Sequence, residues 1–228
     1  MSRGKPSKGE CAYCNTEIAK NGVTKHLVAC SERQAILQQA ERKKGASETL
    51  YHLRVQDATA GADFWLDLEM RGAKTLKELD SYLRHIWLEC CGHMSQFSIG
   101  GWQGEEIPMS RKANDVFMYD NELTHIYDFG TESVTLVKVA GVRKGKPTTT
   151  RPIALTARNL MPQTICAECE KPATCLCMEC MIEEGIWGVL CDKHAKKHPH
   201  ENYGEPIPLV NSPCLGLCGY EGPAVPPY

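Results

Sequence analysis

Apolar and polar residues alternate in several short segments of the middle of the chain, which is the pattern of half-buried β-strands. The predicted strands cover residues 51–55, 64–70, 95–99, 124–129 and 133–139. Between Leu76 and Trp87 the apolar residues instead recur every three or four positions, which predicts an amphipathic helix that Thr75 caps and Gly92 ends. We therefore predict an α+β fold, in which a mostly antiparallel sheet carries one main packed helix.

Three further segments have weaker or different patterns. Residues 23–44 are mostly acceptable helix formers that end in Arg42-Lys43-Lys44-Gly45, so one continuous helix is predicted there. Residues 100–121 lack a clear period, and we expect an irregular excursion with one short element. Residues 148–152 are read as a linker or as the last edge of the sheet.

A first group of cysteine and histidine residues lies near the start of the chain. Cys11 and Cys14 are separated by two residues, and His26 and Cys30 follow with the spacing of one helical turn. This spacing resembles a zinc finger with three cysteines and one histidine, in which a turn is clamped against a helix.

A second, larger group lies in the last third of the chain. Its ligand candidates are Cys166, Cys169, Cys177, Cys180, Cys191, His194, His198, His200, Cys214 and Cys218. In a cross-brace arrangement, the first and third pairs (Cys166, Cys169, Cys191 and His194) hold one ion. Cys177 and Cys180 hold another with one or both of His198 and His200, and Cys218 is a further candidate because Gly219 follows it. Cys214 lacks such a glycine, and an arrangement with a single zinc is the alternative.

Together these groups predict about three zinc ions in structural sites, because four sulfur or nitrogen ligands are available for each ion. A catalytic zinc keeps an open position, and neither the HExxH nor the HxE…PCxxC motif is present. We assign the carboxylates among the C-terminal cysteines to solvated surface; they are Glu168, Glu170, Glu179, Glu183 and Glu184.

Charge is unevenly distributed over the predicted domains. These are a disordered leader (1–10), a finger with an extended basic helix (11–46), an α+β core (47–158) and a cysteine- and histidine-rich module (159–228). Residues 1–45 carry a net charge of +5, and residues 161–228 carry −5. The basic end could contact DNA or RNA phosphates or a protein, and the acidic end is expected to contact protein. The candidate nucleic-acid contacts are Lys20, Lys25, Arg33, Arg42, Lys43 and Lys44.

No apolar run is long enough to cross a membrane, and the first ten residues have no apolar signal region. We therefore expect a cytoplasmic protein without membrane contact. Cysteines in that reducing compartment are metal ligands or core residues rather than disulfides.

Two functional hypotheses follow from these observations. The first is a non-catalytic zinc protein that binds or scaffolds other molecules. The second is an enzyme or enzyme subunit with a site around His93, His125 and Asp128 in the middle domain. The second hypothesis requires these three side chains to meet in an open cleft.

Several short motifs resemble the plasmid ORF-3-like family of prokaryotic proteins. They are Tyr51–Val55, Phe64–Leu68, Leu76–Asp80, His93–Phe97 and Tyr127–Gly130. Residues 166–194, Asn211-Ser212-Pro213 and Cys218-Gly219-Tyr220 look like the C-terminal extension of its larger members. The resemblance implies an α+β core and, in some members, proximity to mobile elements. It implies no established catalytic residues, since most members have no assigned function.

Overall fold

The computed structural model describes residues 7–89, 91–200 and 202–216. These residues form two compact units. The first contains the described residues up to Leu83 together with His93–Leu160, and the second contains Arg84–Gly92 and the described residues from Met161 onward.

The first unit is built on one antiparallel sheet of nine strands. The strands are β1 (Lys8–Cys11), β2 (Glu17–Ala19), β3 (Glu48–Asp57), β4 (Trp65–Arg71), β5 (Ser95–Ile99), β6 (Glu105–Ile107), β7 (Glu122–Tyr127), β8 (Ser133–Gly145) and β9 (Ile153–Asn159). Their order across the sheet is β2-β1-β9-β4-β3-β8-β7-β5-β6. The helices of the first unit are α1 (Val23–Ala29), α2 (Ser31–Arg42) and α4 (Ala113–Phe117), together with most of α3 (Leu76–Ile86), which begins in this unit. The α+β prediction is therefore confirmed.

Strand β4, in the interior of the sheet between β9 and β3, is buried on both faces. Leu66, Leu68 and Met70 are buried, but so are Asp67 and Glu69, which alternate with them. The N-terminal helices contribute to this burial: Arg33 of α2 lies 3.6 Å from the Glu69 carboxylate, and Trp65 packs with apolar residues of α1. The N-terminal segment is thus part of the same folded unit as the sheet.

The predicted disordered leader is wrong for its last residues. Lys8–Cys11 forms β1, which pairs with both β2 and β9. A glycine is required in this strand, because a Cβ atom at Gly9 would lie 2.4 Å from the indole ring of Trp65. Ordering of this segment therefore depends on close contact with the sheet rather than on its own composition.

The continuous helix predicted over residues 23–44 is also wrong. Cys30 has extended backbone angles (φ −67°, ψ 114°) and separates α1 from α2. Side chains of α2 accommodate the break: Arg33 donates a hydrogen bond to the carbonyl of Leu27, and Gln34 donates one to the carbonyl of Val28. These bonds satisfy carbonyl groups that a continuous helix would have paired internally.

Helix α3 ends at Ile86, before the predicted stop at Gly92. Leu88 adopts a left-handed conformation (φ 59°), its N–H group donates to the carbonyl of His85, and the N–H of Glu89 donates to the carbonyl of Arg84. This is a Schellman motif with leucine in the position that glycine usually occupies. The end of α3 was not predictable from the sequence, because leucine is not a usual helix-ending residue.

The region 100–121 contains both β6 and α4, and the stretch after residue 152 forms the full strand β9 between β1 and β4. The second unit contains β10 (Cys175–Leu176), α5 (Met178–Ile182), β11 (Val189–Leu190), α6 (Asp192–Ala195) and β12 (Ile207–Pro208). Its strands form a small sheet in the order β11-β10-β12. Among the described residues, no helix is long and apolar enough to cross a membrane.

Candidate metal centres

Three groups of cysteine and histidine side chains meet in the described part of the chain. In each group the four candidate donor atoms all lie within 4.8 Å of one another. The N-terminal cluster consists of Cys11, Cys14, His26 and Cys30. The first C-terminal cluster consists of Cys166, Cys169, Cys191 and His194, and the second consists of Cys177, Cys180, His198 and His200. Each cluster could hold a metal ion such as zinc.

The N-terminal cluster joins the turn after β1 to helix α1. Cys11 ends β1, and the turn that follows carries Cys14 and closes through Asn15, whose left-handed backbone (φ 56°) places its N–H on the carbonyl of Cys11 at 2.9 Å. His26 lies in α1 and Cys30 directly follows it. The Cys14 Sγ atom lies 3.4 Å from His26 Nε2. The turn and the helix thus meet at their four candidate donors.

Burial and hydrogen bonding have opposite effects on two thiols of this cluster. Burial raises the pKa of Cys11 to about 11. Hydrogen bonds from the Thr16 hydroxyl and backbone lower the pKa of Cys14 to about 6. Cys14 is therefore the thiol of this pair that ionises more readily and can ligate as a thiolate.

The first C-terminal cluster is built from a turn and the short helix α6. Cys166 and Cys169 lie on a turn in which the N–H of Cys166 donates to the carbonyl of Lys171 and the N–H of Cys169 to the carbonyl of Cys166. Cys191 immediately precedes α6, and His194 lies within it. Burial raises the pKa of Cys166, but hydrogen bonds from His194 and from the backbone of Cys191 and Glu168 outweigh it and lower the value to about 6.

The second C-terminal cluster combines helix α5 with the loop after α6. Cys177 immediately precedes α5 and Cys180 lies within it. His198 and His200 come from the loop, because α6 ends at Ala195. Burial, with the neighbouring Cys177 and Glu184, raises the pKa of Cys180 to about 12. Both histidines belong to this group, so the first Cys-x2-Cys pair is grouped with the third ligand pair and the second with the fourth, the alternating order expected of a cross-brace.

The distances between donor atoms fit tetrahedral zinc. With Zn–S bonds of about 2.3 Å and Zn–N bonds of about 2.0 Å, two sulfurs lie roughly 3.8 Å apart, a sulfur and a nitrogen roughly 3.5 Å, and two nitrogens roughly 3.3 Å. The Cys169 and Cys191 sulfurs are 3.9 Å apart, and Cys166 Sγ lies 3.3 Å from His194 Nδ1. The nitrogens of His198 and His200 are 3.1 Å apart. The side chains are thus placed as the edges of a coordination tetrahedron require.

Two carboxylates support the second C-terminal cluster from outside. His198 faces the cluster with Nε2, and its Nδ1 lies 3.4 Å from Glu168 Oε1. His200 faces the cluster with Nδ1, and its Nε2 lies 3.4 Å from Glu184 Oε1. Histidine ligands of metals commonly donate their second N–H group to such a carboxylate. Glu168 and Glu184 are exposed, as predicted for solvated surface, and each also contacts a histidine of this cluster. The sequence signal for this second contact is their place beside the Cys-x2-Cys pairs.

A glycine makes room for the same cluster. A Cβ atom at Gly188 would lie 2.4 Å from the Cys180 Cβ and 2.9 Å from its Sγ. The carbonyl of Gly188 also accepts a hydrogen bond from the N–H of Cys177 at 2.8 Å. Gly188 thus allows the chain to approach both cysteines closely.

The remaining cysteines lie outside the three clusters or outside the described residues. Cys214 contacts the hydroxyl of Ser212 at 3.1 Å and joins none of the clusters. Cys91 and Cys175 lie outside the clusters. Cys218, predicted as a possible ligand, lies outside the described residues, as does Cys90. No disulfide links the cysteines in the described part of the chain.

The six basic residues proposed for nucleic-acid contact differ in solvent exposure and in the contacts that they already make within the fold. Lys20 is partly buried and donates to Gln56 and to the carbonyl of Gly61, and burial lowers its pKa. Arg33 contacts Glu69 and the carbonyl of Leu27. The other four are exposed: Lys25, Arg42, Lys43 and Lys44. Two of the six are thus committed to contacts within the fold.

The three residues of the enzyme hypothesis do not meet in one open cleft. His125 is only 1% exposed, lies 2.8 Å from the Asp80 carboxylate and packs against the ring of Phe97. His93 and Asp128 form a separate, more exposed pair with a 3.0 Å contact. The geometry that this hypothesis requires is therefore absent, since His125 is enclosed within the fold.

No protein-family model matches the sequence, and no curated protein matches it. Among solved structures, the chain is similar to the protein of unknown function MM3350 from Methanosarcina mazei Go1, with 17% identity and a TM-score of 0.42. The match covers 49% of this chain and 70% of that one. The resemblance to the plasmid ORF-3-like family stays a prediction.

Proposed function

We propose that each cluster binds one zinc ion, three per chain, and that the ions stabilise the fold rather than catalyse a reaction. The observation that carries this proposal is the grouping of four donor atoms within 4.8 Å in each cluster. Four protein ligands complete the tetrahedral coordination of zinc, so no position is left for a water nucleophile. Two clusters offer three cysteines and one histidine, and the third offers two of each.

The zinc ions add to the limited apolar packing around the two C-terminal clusters. One group of packed buried residues in the second unit consists of Leu190 and four cysteines, Cys166, Cys177, Cys180 and Cys191. Metal binding supplies folding free energy to such small modules, which are often unfolded without the ion. We therefore propose a non-catalytic binding protein, in which zinc stabilises the folded surfaces that contact other molecules.

The first contact that we propose is with nucleic acid through the exposed basic residues of the N-terminal region. Lys25 lies on α1, and Arg42, Lys43 and Lys44 lie at and beyond the end of α2. Lysine and arginine side chains that neutralise phosphates release condensed counterions, which makes such binding sensitive to salt.

Fluorescence anisotropy with a labelled 20-base-pair DNA duplex, and with an RNA of the same sequence, tests this contact. If four phosphates are neutralised, the logarithm of the association constant should fall against the logarithm of salt concentration with a slope of roughly −3 to −4 for the duplex. Substitutions suit the test better than deletion of residues 1–45, because β1 pairs with β9 and is part of the sheet. Absence of binding to both probes at low salt would exclude this contact.

The second contact that we propose is with protein through the second unit. Ile182, Ile186 and Trp187 are each more than half exposed, and the acidic residues Glu183 and Glu184 lie between them in the chain. Exposed apolar side chains grouped in this way are typical of protein-binding surfaces. The complementary surface on a partner would be apolar with a basic rim.

Site-specific crosslinking in the native host tests the second contact. A photoreactive phenylalanine at position 187 should crosslink to a defined protein. The same group at Tyr119, which is 79% exposed in the first unit, should not yield that product. Equal crosslinking from both positions would exclude a specific contact at Trp187.

A further inference from the structure

A pocket of about 310 Å³ lies beside the end of helix α2, in the first unit. The end of α2, the start of β3 and the connection from β8 to β9 line it. Its lining includes four cationic side chains, Lys43, Lys44, Arg71 and Lys146. We propose that this pocket binds a phosphate group of nucleic acid; this inference rests on the proposed nucleic-acid contact and names its position.

The charge of the pocket favours an anion. Glu48 is the single carboxylate among the lining residues, and Arg71 lies 2.9 Å from it, so this pair is neutral. Lys43, Lys44 and Lys146 are the other cations of the lining, and the first two are exposed to solvent. The Glu41 carboxylate accepts a hydrogen bond from the backbone N–H of Lys146 and offsets one of these charges, so the pocket keeps a net positive charge. A phosphate placed between them would gain Coulomb attraction from several sides.

Hydrogen bonds hold the two walls of the pocket together before a ligand arrives. Lys146 Nζ donates to the carbonyl of Glu41 at 2.8 Å and also to the carbonyl of Lys43. The backbone N–H of Lys146 donates to the Glu41 carboxylate at 2.8 Å. The β8–β9 connection is thereby tied to the end of α2, where helical carbonyls lack partners of their own. A preformed site loses less conformational entropy when it binds a ligand.

The pocket also offers hydrogen-bond donors without partners. Within the described part of the chain, the backbone N–H groups of Lys44, Gly45 and Ala46 donate no hydrogen bond. Thr148 and Thr150 line the opposite wall and have hydroxyl groups that can donate. Backbone N–H groups and threonine hydroxyls are common phosphate ligands in protein–DNA complexes. The lining therefore combines positive charge with donors of the kind that a phosphate oxygen accepts.

Charge-neutralising variants of the full-length protein test the proposal. The double variant Lys43→Gln/Lys44→Gln should bind the labelled 20-base-pair duplex at least tenfold more weakly at low salt. Its salt slope should be smaller by about 1, because the pocket holds one phosphate and roughly 0.9 is lost per phosphate contact. Lys196→Gln/Lys197→Gln is the matched control, since it removes two exposed adjacent charges from the second unit. Its affinity should change less than twofold.

A variant that keeps every charge tests whether the pocket is a specific phosphate site or whether the duplex is held only by general electrostatic attraction. Thr148→Val/Thr150→Val should weaken duplex binding about tenfold if the hydroxyls donate to a phosphate. Duplex binding that weakens no more in Lys43→Gln/Lys44→Gln than in the control would overturn the pocket and leave the nucleic-acid contact standing. Unchanged affinity of the threonine variant would likewise overturn the pocket as a specific site.

Titration with inorganic phosphate separates failure of the pocket from failure of the proposed function. In NMR spectra of the unmodified protein, phosphate should shift the amide resonance of Gly45, and the shift should be lost in Lys43→Gln/Lys44→Gln. If the protein binds no duplex but shows this shift, the nucleic-acid function is excluded while a phosphate pocket remains. Absence of both duplex binding and the shift would overturn both proposals.

Discussion

His198 Nε2 and His200 Nδ1 lie 3.1 Å apart, and each of these nitrogens lies 3.2 Å from the sulfur of Cys180. One hydrogen bond could join the two rings, but a common metal ion accounts for all three short distances at once. Both nitrogens must then be unprotonated and directed at the ion.

Removal of these two histidines should remove one zinc ion selectively. We predict that His198→Ala/His200→Ala contains two zinc ions per chain instead of three, because the other clusters share none of its ligands. Native mass spectrometry measures this content. The control His93→Ala lies outside all three clusters and should keep three ions. A double variant that keeps three ions would show that this cluster is not a binding site.

The carboxylates behind the histidines should strengthen zinc binding. We predict that Glu168→Ala/Glu184→Ala lowers the zinc affinity of the second C-terminal cluster by about 10- to 100-fold, because the histidine rings lose their orienting partners. Competition with a chelator of known affinity measures the change. Glu170→Ala is the control, because Glu170 joins no cluster. Equal affinities for both variants would contradict a supporting role for these carboxylates.

Chelation should unfold the two units to different extents. The second unit has a buried cluster composed mainly of cysteines, whereas the first has a nine-stranded sheet with an apolar core. We predict that removal of zinc leaves amides of β10 and β11 unprotected from hydrogen exchange, while amides of β3 and β8 remain protected. Persistent protection of β10 and β11 without zinc would show that the module folds without metal.

Sequence spacing predicted most of the candidate ligands because a metal site is specified by few residues at short separations. It left open which of His198, His200 and Cys218 complete the second C-terminal cluster. The break at Cys30 was not predictable in this way, since the α1 carbonyls are satisfied by the side chains of Arg33 and Gln34. Strand β9 was missed because its buried residues include Thr156 and Asn159. Their polar groups are satisfied by tertiary hydrogen bonds, such as the one that the N–H of Trp65 donates to Asn159 Oδ1. The alternation of apolar residues carries no information about such bonds.

The ion pairs of buried Asp67 should contribute strongly to stability. Asp67 is inaccessible to solvent and accepts hydrogen bonds from Arg54 at 2.7 Å and from His52. We predict that Asp67→Asn lowers the free energy of unfolding by about 3 kcal/mol, because it leaves Arg54 without its counter-ion. Urea denaturation of the zinc-loaded protein measures this value.

The matched control for Asp67 is Glu122→Gln, which breaks the exposed contact between Glu122 and Lys138. Exposed ion pairs contribute little to stability, so the free energy of unfolding should fall by less than about 1 kcal/mol. Equal losses in the two variants would contradict the importance assigned to burial of Asp67.

Zinc content of the intact protein tests the central claim most directly. Elemental analysis of protein purified without added chelator, combined with native mass spectrometry, should give three zinc ions per chain. A content near zero, in protein that retains its fold, would contradict the assignment of the three clusters as zinc sites.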